Sequence, residues 1–314
     1  MKLVELDAAT AARLRQPLAE FEREFRYPLG PQRSFRVSHG EDYGAFVRAL
    51  GVGATFVVAD GDRVLGAMSV AQRELRTPVG DCEPTLYICD LKVLPRSRQG
   101  FVLRELLRAA LRWGIPRARS AYGVVMRGTE NTPERYSGRA GMPHFTRVRS
   151  IAVLRVSCTH GTDVERELVE VSPEVVTRTF DDLRRGGYVP ACGDSRLRSR
   201  MRVRCLLTRD RSACALIEDT RRAKRLFLDD GSELVSAHLS CFGYRSVDAA
   251  VELITLVRGL VALEGLPAVF VATPEHEAAA IVTRLDGDVT VAAADIYGFG
   301  VRDDADWSIH TAEI

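Results

Sequence analysis

The chain has 314 residues, 46% of them apolar and 27% charged, which is the balance of a folded globular protein. A formal net charge of +2 excludes a whole-protein attraction to polyanions. No run approaches the ~18 apolar residues that a membrane-spanning helix needs; the longest, near 251–263, is broken by Glu252, Thr255 and Arg258.

Leu14, Leu18, Phe21 and Phe25 recur at helical spacing and predict an amphipathic helix over 8–26. A polar loop and a second short helix ending near Leu50 follow. A strand over 55–59, the turn Asp60-Gly61-Asp62 and a strand over 64–73 read as a hairpin. Another strand is expected over 86–94. Val102, Leu103, Leu106, Leu107, Ala110 and Leu111 form one stripe of a helix over 99–112, stopped by Gly114 and Pro116. A strand over 121–126, a short helix over 132–139 and a strand over 147–156 complete this half.

The second half repeats the order. A helix is expected over 173–185, strands over 214–218 and 225–228, and a hairpin turn at Asp229-Asp230-Gly231. A strand over 233–241, a helix over 247–263, a strand over 269–273, a helix over 274–285 and a strand over 289–293 follow. Gly265-Leu266-Pro267 matches Gly114-Ile115-Pro116 in place and spacing. Two units of about 150 residues with one element order suggest an internal duplication. The polar stretch 158–167 is the expected linker, giving domains 1–157 and 166–314.

One segment carries a motif. Leu91-Lys92-Val93-Leu94-Pro95-Arg96-Ser97-Arg98-Gln99-Gly100 leads straight into the amphipathic helix. A helix N-terminus offers unpaired N–H groups and the positive end of the macrodipole, a ready anion site. Gly100 lets the backbone approach phosphates, and Arg96 and Arg98 add charge.

This segment, with the element order around it, resembles the GNAT N-acetyltransferase superfamily, whose signature runs from a strand ending in V-x-P through an Arg and a Gly-rich turn into a helix. The resemblance implies an α/β (α+β) fold of two GNAT-like domains, each a mixed, mostly antiparallel sheet flanked by helices. It implies an N-acetyltransferase or acyltransferase moving an acetyl or short acyl group from acetyl-CoA, or another acyl-CoA, to a primary amine of a small molecule or peptide. Val93, Leu94, Arg96, Arg98, Gln99, Gly100, Phe101, Val102, Leu103 and Asn131 are the expected cofactor contacts, with N–H groups near 92–94 receiving the thioester carbonyl. The family's two later glycines are here Phe101 and Leu103. The second half shows only Cys241-Phe242-Gly243-Tyr244-Arg245-Ser246 at the matching place and reads as degenerate.

Asp90, on the strand leading to the turn, is the expected base, with pairing to Lys92 or Arg98 as the alternative. Cys89 beside it reads as core. The segment from Asn131 to Met142 resembles the family's last helix, whose Tyr protonates the leaving thiolate. Tyr136 fits by residue type, and Ser137 by a strict count back from Gly141. The loop around Phe35–Tyr43 brings His39, Glu41 and Asp42 as candidate acceptor-binding groups, or a polar surface loop with Asp42 as a cap. No histidine grouping reads as a metal site. Seven cysteines, odd in number and without a CxxC pair, argue against a disulfide framework or zinc site.

Basic residues are almost all arginine, lysine occurring only at Lys2, Lys92 and Lys224. Arg196, Arg198, Arg200, Arg202 and Arg204 alternate with Leu197, Ser199, Met201 and Val203, which on a strand puts five guanidinium groups on one face. Such a row suits phosphates, a carrier protein's acidic helix or an RNA such as tRNA, with a solvated strand face as the favoured alternative. A donor of that kind, and a non-catalytic acyl-CoA-binding scaffold, are the alternative functions. The opening MKLVELDAATAARL has no continuous apolar core, so no signal peptide is read and the cytoplasm is the expected location.

Overall fold

The computed structural model describes residues 1–30, 33–97, 100–129, 132–138, 142–158 and 167–314. Strand β1 (Lys2–Glu5) precedes helix α1 (Ala8–Glu22), whose N-cap Asp7 accepts the Thr10 N–H at 2.7 Å. Short strands β2 (Tyr27–Pro28) and β3 (Ser34–Ser38), helix α2 (Ala45–Leu50) and strands β4 (Val52–Asp60), β5 (Arg63–Arg76) and β6 (Cys82–Val93) follow. Helix α3 (Phe101–Gly114), β7 (Ser120–Met126) and β8 (Thr146–Ser157) end the first half. The second half runs β9 (Leu168–Glu170), α4 (Pro173–Leu183), β10 (Val189–Pro190), α5 (Ser195–Arg198), β11 (Arg204–Thr208), β12 (Ala213–Glu218), β13 (Arg225–Leu228) and β14 (Ala237–Tyr244). It closes with α6 (Val247–Leu263), β15 (Ala268–Pro274), α7 (Glu275–Arg284) and β16 (Val289–Phe299).

Both halves share one 13-stranded sheet in the order β1-β4-β5-β6-β7-β16-β8-β15-β14-β12-β11-β9, with β10 paired to β5. The centre of that order exchanges strands. β8, from the first half, pairs with β15 of the second. β16, from the second half, pairs with β7 of the first. β8 and β16 also pair with each other over ten register positions, so a pseudo-twofold runs between them. The reason is visible in the residues. Ile151, Leu154 and Val156 of β8, and Ala294 and Ile296 of β16, are buried within the clusters that join the two halves.

The repeat extends to fine geometry. β6 runs parallel to β7 for only three register pairs, Thr85 to Tyr87 against Ser120 to Tyr122. β14 runs parallel to β15 for only two, at Ala237 and His238. Three residues beyond Tyr87 and His238, β6 and β14 each carry a bulge, opposite Met68 and Ala215. At each bulge stands a non-glycine residue with positive φ, Asp90 at 55° and Cys241 at 48°.

The two openings differ in what fills them. In the second half the chain's own last residues enter. The Cys241 N–H donates to His310 Nδ1 at 3.0 Å, and Thr311 Oγ1 lies 3.1 Å from His238 and donates to the Phe270 carbonyl. Glu313 is then clamped by Arg73 at 2.9 Å, Arg198 at 2.8 Å and the Gly193 N–H at 2.7 Å. Gly193 is required there, since a Cβ would sit 2.4 Å from the Ala49 carbonyl.

Several expectations are corrected. The helix over 132–139 is a single 3-10 turn, Pro133–Arg135, because Pro133 opens it and Gly138 turns out of it with φ 70°. The strand expected over 233–241 starts at Ala237. Glu233 instead pairs with Arg225, and β13 leaves the main sheet to pair with β3, forming a small second sheet β13-β3-β2. The arginine row is not a strand face. Residues 195–198 are α5, capped by Asp194, and only Arg204 begins a strand. Arg198 is wholly buried against Glu218 and Glu313, while Arg202 and Arg204 pair with Glu170. No helix among the described residues is long and apolar enough to cross a membrane.

Candidate active site

Where β6 and β7 part, the first half holds a cavity of about 800 Å³. One wall is β6 from Leu86 to Val93, another β7 from Gly123 to Met126. Leu103, Leu107, Ala110, Leu111 and Ile115 supply the α3 wall, and Phe145, Tyr297 and Phe299 add an aromatic side. The small sheet supplies Tyr27, Pro28, Phe35 and Val37 as a cover, so the second half holds part of that cover through β13. Lys224 and Ile314 reach the same space from the second half. The walls are mainly apolar, so water inside is poorly held and an apolar guest gains by displacing it.

The α3 N-terminus stands next to this opening. Gly100 is its N-cap with φ 96°, and a Cβ there would meet nothing within 4 Å. No side chain among the described residues caps the helix. The first-turn N–H groups, on Phe101, Val102 and Leu103, therefore have no intrahelical partner and point along the positive end of the dipole. Arg96 lies exposed in the preceding 3-10 turn.

A buried polar cluster forms the other end. Glu22, at the end of α1, accepts the His39 N–H and bonds His39 Nδ1 at 2.5 Å. With a carboxylate as its partner Nδ1 is the donor, and no hydrogen bond to Nε2 is found among the described residues. Lys92 Nζ sits 3.8 Å from Glu22 and pairs closely with Asp90. The Asp90 carboxylate also accepts the Tyr43 hydroxyl. Burial favours protonation of Asp90, but the Lys92 ammonium, His39 and these two hydrogen bonds win and hold its carboxyl below the usual range. Burial likewise opposes the Lys92 charge, and Asp90, with Tyr27 and Glu22, outweighs it and raises Lys92. Burial pushes the Cys89 thiol up, so it stays protonated and unreactive.

No family model matches the chain, and no curated protein matches its sequence. Solved structures do match its shape. N-myristoyltransferase of Saccharomyces cerevisiae with bound myristoyl-CoA and inhibitors aligns at a TM-score of 0.60 and 11% identity, over 96% of this chain and 80% of that one. Two further structures of that enzyme with bound myristoyl-CoA align at 0.58, with 11% and 9% identity, over 96% of this chain and 78% and 83% of theirs. The chain has the tandem GNAT fold of the N-myristoyltransferases.

Within that GNAT fold, the residues singled out in the sequence divide. Val93, Leu103, Asp90, Tyr136 and His39 line the cavity. Gly100, Phe101 and Val102 form the helix start, with the Val102 side chain buried in the core. Leu94 is not open to a thioester, because its N–H donates to the Leu65 carbonyl at 2.9 Å. Arg98, Gln99 and Asn131 lie outside the described residues. The Ser137 hydroxyl is tied to Pro133 and Phe145 backbone, at 3.2 and 2.9 Å, and holds the loop. Glu41 is exposed near Arg15, and Asp42 pairs with Arg48 on the surface. Neither is among the cavity-lining residues. His310, read from the sequence as part of no metal-like cluster, meets Cys192 and Cys241 with ligand atoms within 4.8 Å of one another. Its Nδ1 accepts from Cys241 and its Nε2 faces the Pro190 carbonyl at 3.1 Å, so no lone pair is left for a metal.

Sequence reasoning missed Glu22, Tyr43 and Lys224. A signal existed for the lysine: in an arginine-dominated chain, two of three lysines, Lys92 and Lys224, are buried at this cavity. A compact ammonium fits where a planar guanidinium does not.

Proposed function

We propose that the chain is an acyl-CoA-dependent N-acyltransferase, working from the first half only. The observation that carries this reading is the parting of β6 and β7 beside the uncapped α3 N-terminus, opening into a large apolar cavity. The residues fit such a donor. The α3 N–H groups with Arg96 suit a diphosphate, the gap between β6 and β7 suits a pantetheine arm, and the α3 wall suits an acyl chain. The cavity-lining residues of α3 run from Leu103 to Leu111, a rise of ~12 Å at helical spacing. That depth supports an acyl chain well beyond acetyl.

Attack by an amine on a thioester needs a base for the amine and a proton for the thiolate. His39, oriented by Glu22, is the better base. Asp90 is held charged and occupied by Lys92 and Tyr43, which makes it a weak one. Tyr136 lines the cavity, which supports it as the proton donor to the thiolate in this reading. The acceptor, a primary amine of a small molecule or peptide, enters beneath β2 and β3, where Glu24 and Arg26 add a polar rim.

The test is calorimetry with coenzyme A and octanoyl-CoA, followed by mass spectrometry of acyl transfer to amine and peptide acceptors. Heat with both ligands and an acylated amine is expected. No heat with either ligand overturns the reading.

A further inference from the structure

Gly114 is a glycine that the backbone does not require. It is the last residue of α3, and its φ is not positive. Glycine also weakens a helix relative to alanine. Gly265, at the matching place in the second half, differs: its φ is 74°, and a Cβ there would meet nothing within 4 Å. Gly265 serves a turn, and Gly114 serves space. A Cβ on Gly114 would stand 2.3 Å from Leu86 Cδ1 and 3.5 Å from Leu86 Cγ. The Leu86 side chain lies in a notch on α3 that a methyl group would fill.

Leu86 stands where the gap between β6 and β7 closes. It is the middle of their three paired positions, opposite Ala121, and both residues line the cavity. Beside it the Thr85 and Ser120 hydroxyls bond at 2.9 Å, and the Tyr87 and Tyr122 rings stack at 4.8 Å. Leu106, Leu107, Ala109 and Ala110 are buried in the core that also holds Leu86, so α3 is fixed against the sheet. A displaced Leu86 therefore has the cavity as its free side. Beyond it the lining passes to Ile115, Ala118 and Arg119 at the turn after α3, where Ile115 is 70% exposed and further carbons gain little burial.

We infer that Gly114, by drawing Leu86 aside, sets the length of acyl chain that the cavity accepts, and that the donor is a medium-chain acyl-CoA. The inference rests on the acyl-CoA reading above and names the donor class of that site. The α3 wall from Leu103 to Leu111 rises ~12 Å. An extended chain advances ~1.2 Å per bond, as an extended backbone does over its three bonds per residue, so the wall covers about ten carbons. A Leu86 pushed into this lobe takes the room of about two of them.

The experiment measures calorimetric Kd for acetyl-, octanoyl-, decanoyl- and dodecanoyl-CoA with the full chain, with G114A, with L86A and with both changes together. In the unaltered chain affinity should rise to about ten carbons and then level. In G114A the decanoyl-to-acetyl affinity ratio should fall at least tenfold, the loss of about two buried methylenes at nearly fourfold each. Alanine favours the helix, so G114A is expected to fold. With Leu86 cut back to alanine the new methyl has nothing to displace, so adding G114A to L86A should leave the ratio of L86A unchanged. That coupling separates an effect through Leu86 from damage to α3, and if L86A fails to fold the G114A ratio alone decides. A G114A ratio equal to that of the unaltered chain, or the same tenfold loss on the L86A background, overturns this inference and leaves the donor reading standing. No heat with any donor overturns both.

Discussion

Donor chain length is the sharpest probe of the cavity. If the α3 wall receives the acyl chain, each added methylene leaves water for apolar surface formed by Leu103, Leu107, Ala110, Leu111 and Ile115 on one side and Leu86 and Ala121 on the other. Burying one methylene contributes about 0.8 kcal/mol, or nearly fourfold in affinity. Octanoyl-CoA has six methylenes more than acetyl-CoA, so the gain approaches ~5 kcal/mol, a few thousandfold, as an upper bound for full burial. The assay is calorimetric Kd across the acetyl, butyryl, hexanoyl and octanoyl donors. It is run at pH 6, below the value of about 8 to which burial brings Lys224, so that the ammonium in the cavity keeps its charge. A steady rise in affinity with length is expected. Equal affinity for acetyl- and octanoyl-CoA refutes the assignment of this cavity to the acyl chain, whatever the affinity for coenzyme A itself.

His39→Gln should lower kcat by ~10² or more with KM little changed, followed by thiol release, because it removes the base and keeps a polar side chain of similar reach. Gly100→Val should weaken coenzyme A binding at least tenfold by calorimetry. Its φ of 96° strains any β-branched residue, and the side chain would stand at the open helix start. Glu313→Gln should destabilise the fold by about 3 kcal/mol or more in urea melts at pH 7, since Arg73 is left buried without its carboxylate and Arg198 keeps only Glu218. Arg73 and Arg198 overcome burial to hold the Glu313 carboxyl well below its usual range. The stability this gives is therefore present above the unfolded pKa near ~4.3 and is lost as pH falls below it, and the variant should lose that acid limb.

Much of the architecture was legible because periodicity reports burial. The stripe Val102, Leu106 and Ala110 marked α3, and the turn Asp60-Gly61-Asp62 between two apolar runs marked the β4–β5 hairpin. The turn into α3 was legible because a positive φ admits few residue types, and Gly100 is one. The buried cluster was not. Glu22 sits among ordinary surface-type residues of α1, and only the packing of α1 under the loop carrying His39 turns it inward. The arginine row misled for the opposite reason: alternation predicts a strand only if the backbone extends, and the Asp194 cap starts a helical turn instead. The crossing of β8 and β16 left no local mark, because a strand reads the same whichever neighbour it meets.

That crossing ties the fate of the two halves together. A fragment cut within 158–167 would carry its last strand shaped for a sheet it no longer has, and a bare ladder on β7 or β15 where the missing strand belongs. Unpaired apolar ladders of that kind recruit other chains, so either piece alone is expected to clump, while the two mixed should reassemble. Most of the sheet's central contacts also join residues more than a hundred positions apart, as Val289 meets Val156. Assembly must therefore wait for the end of the chain, which makes this a slow-folding design.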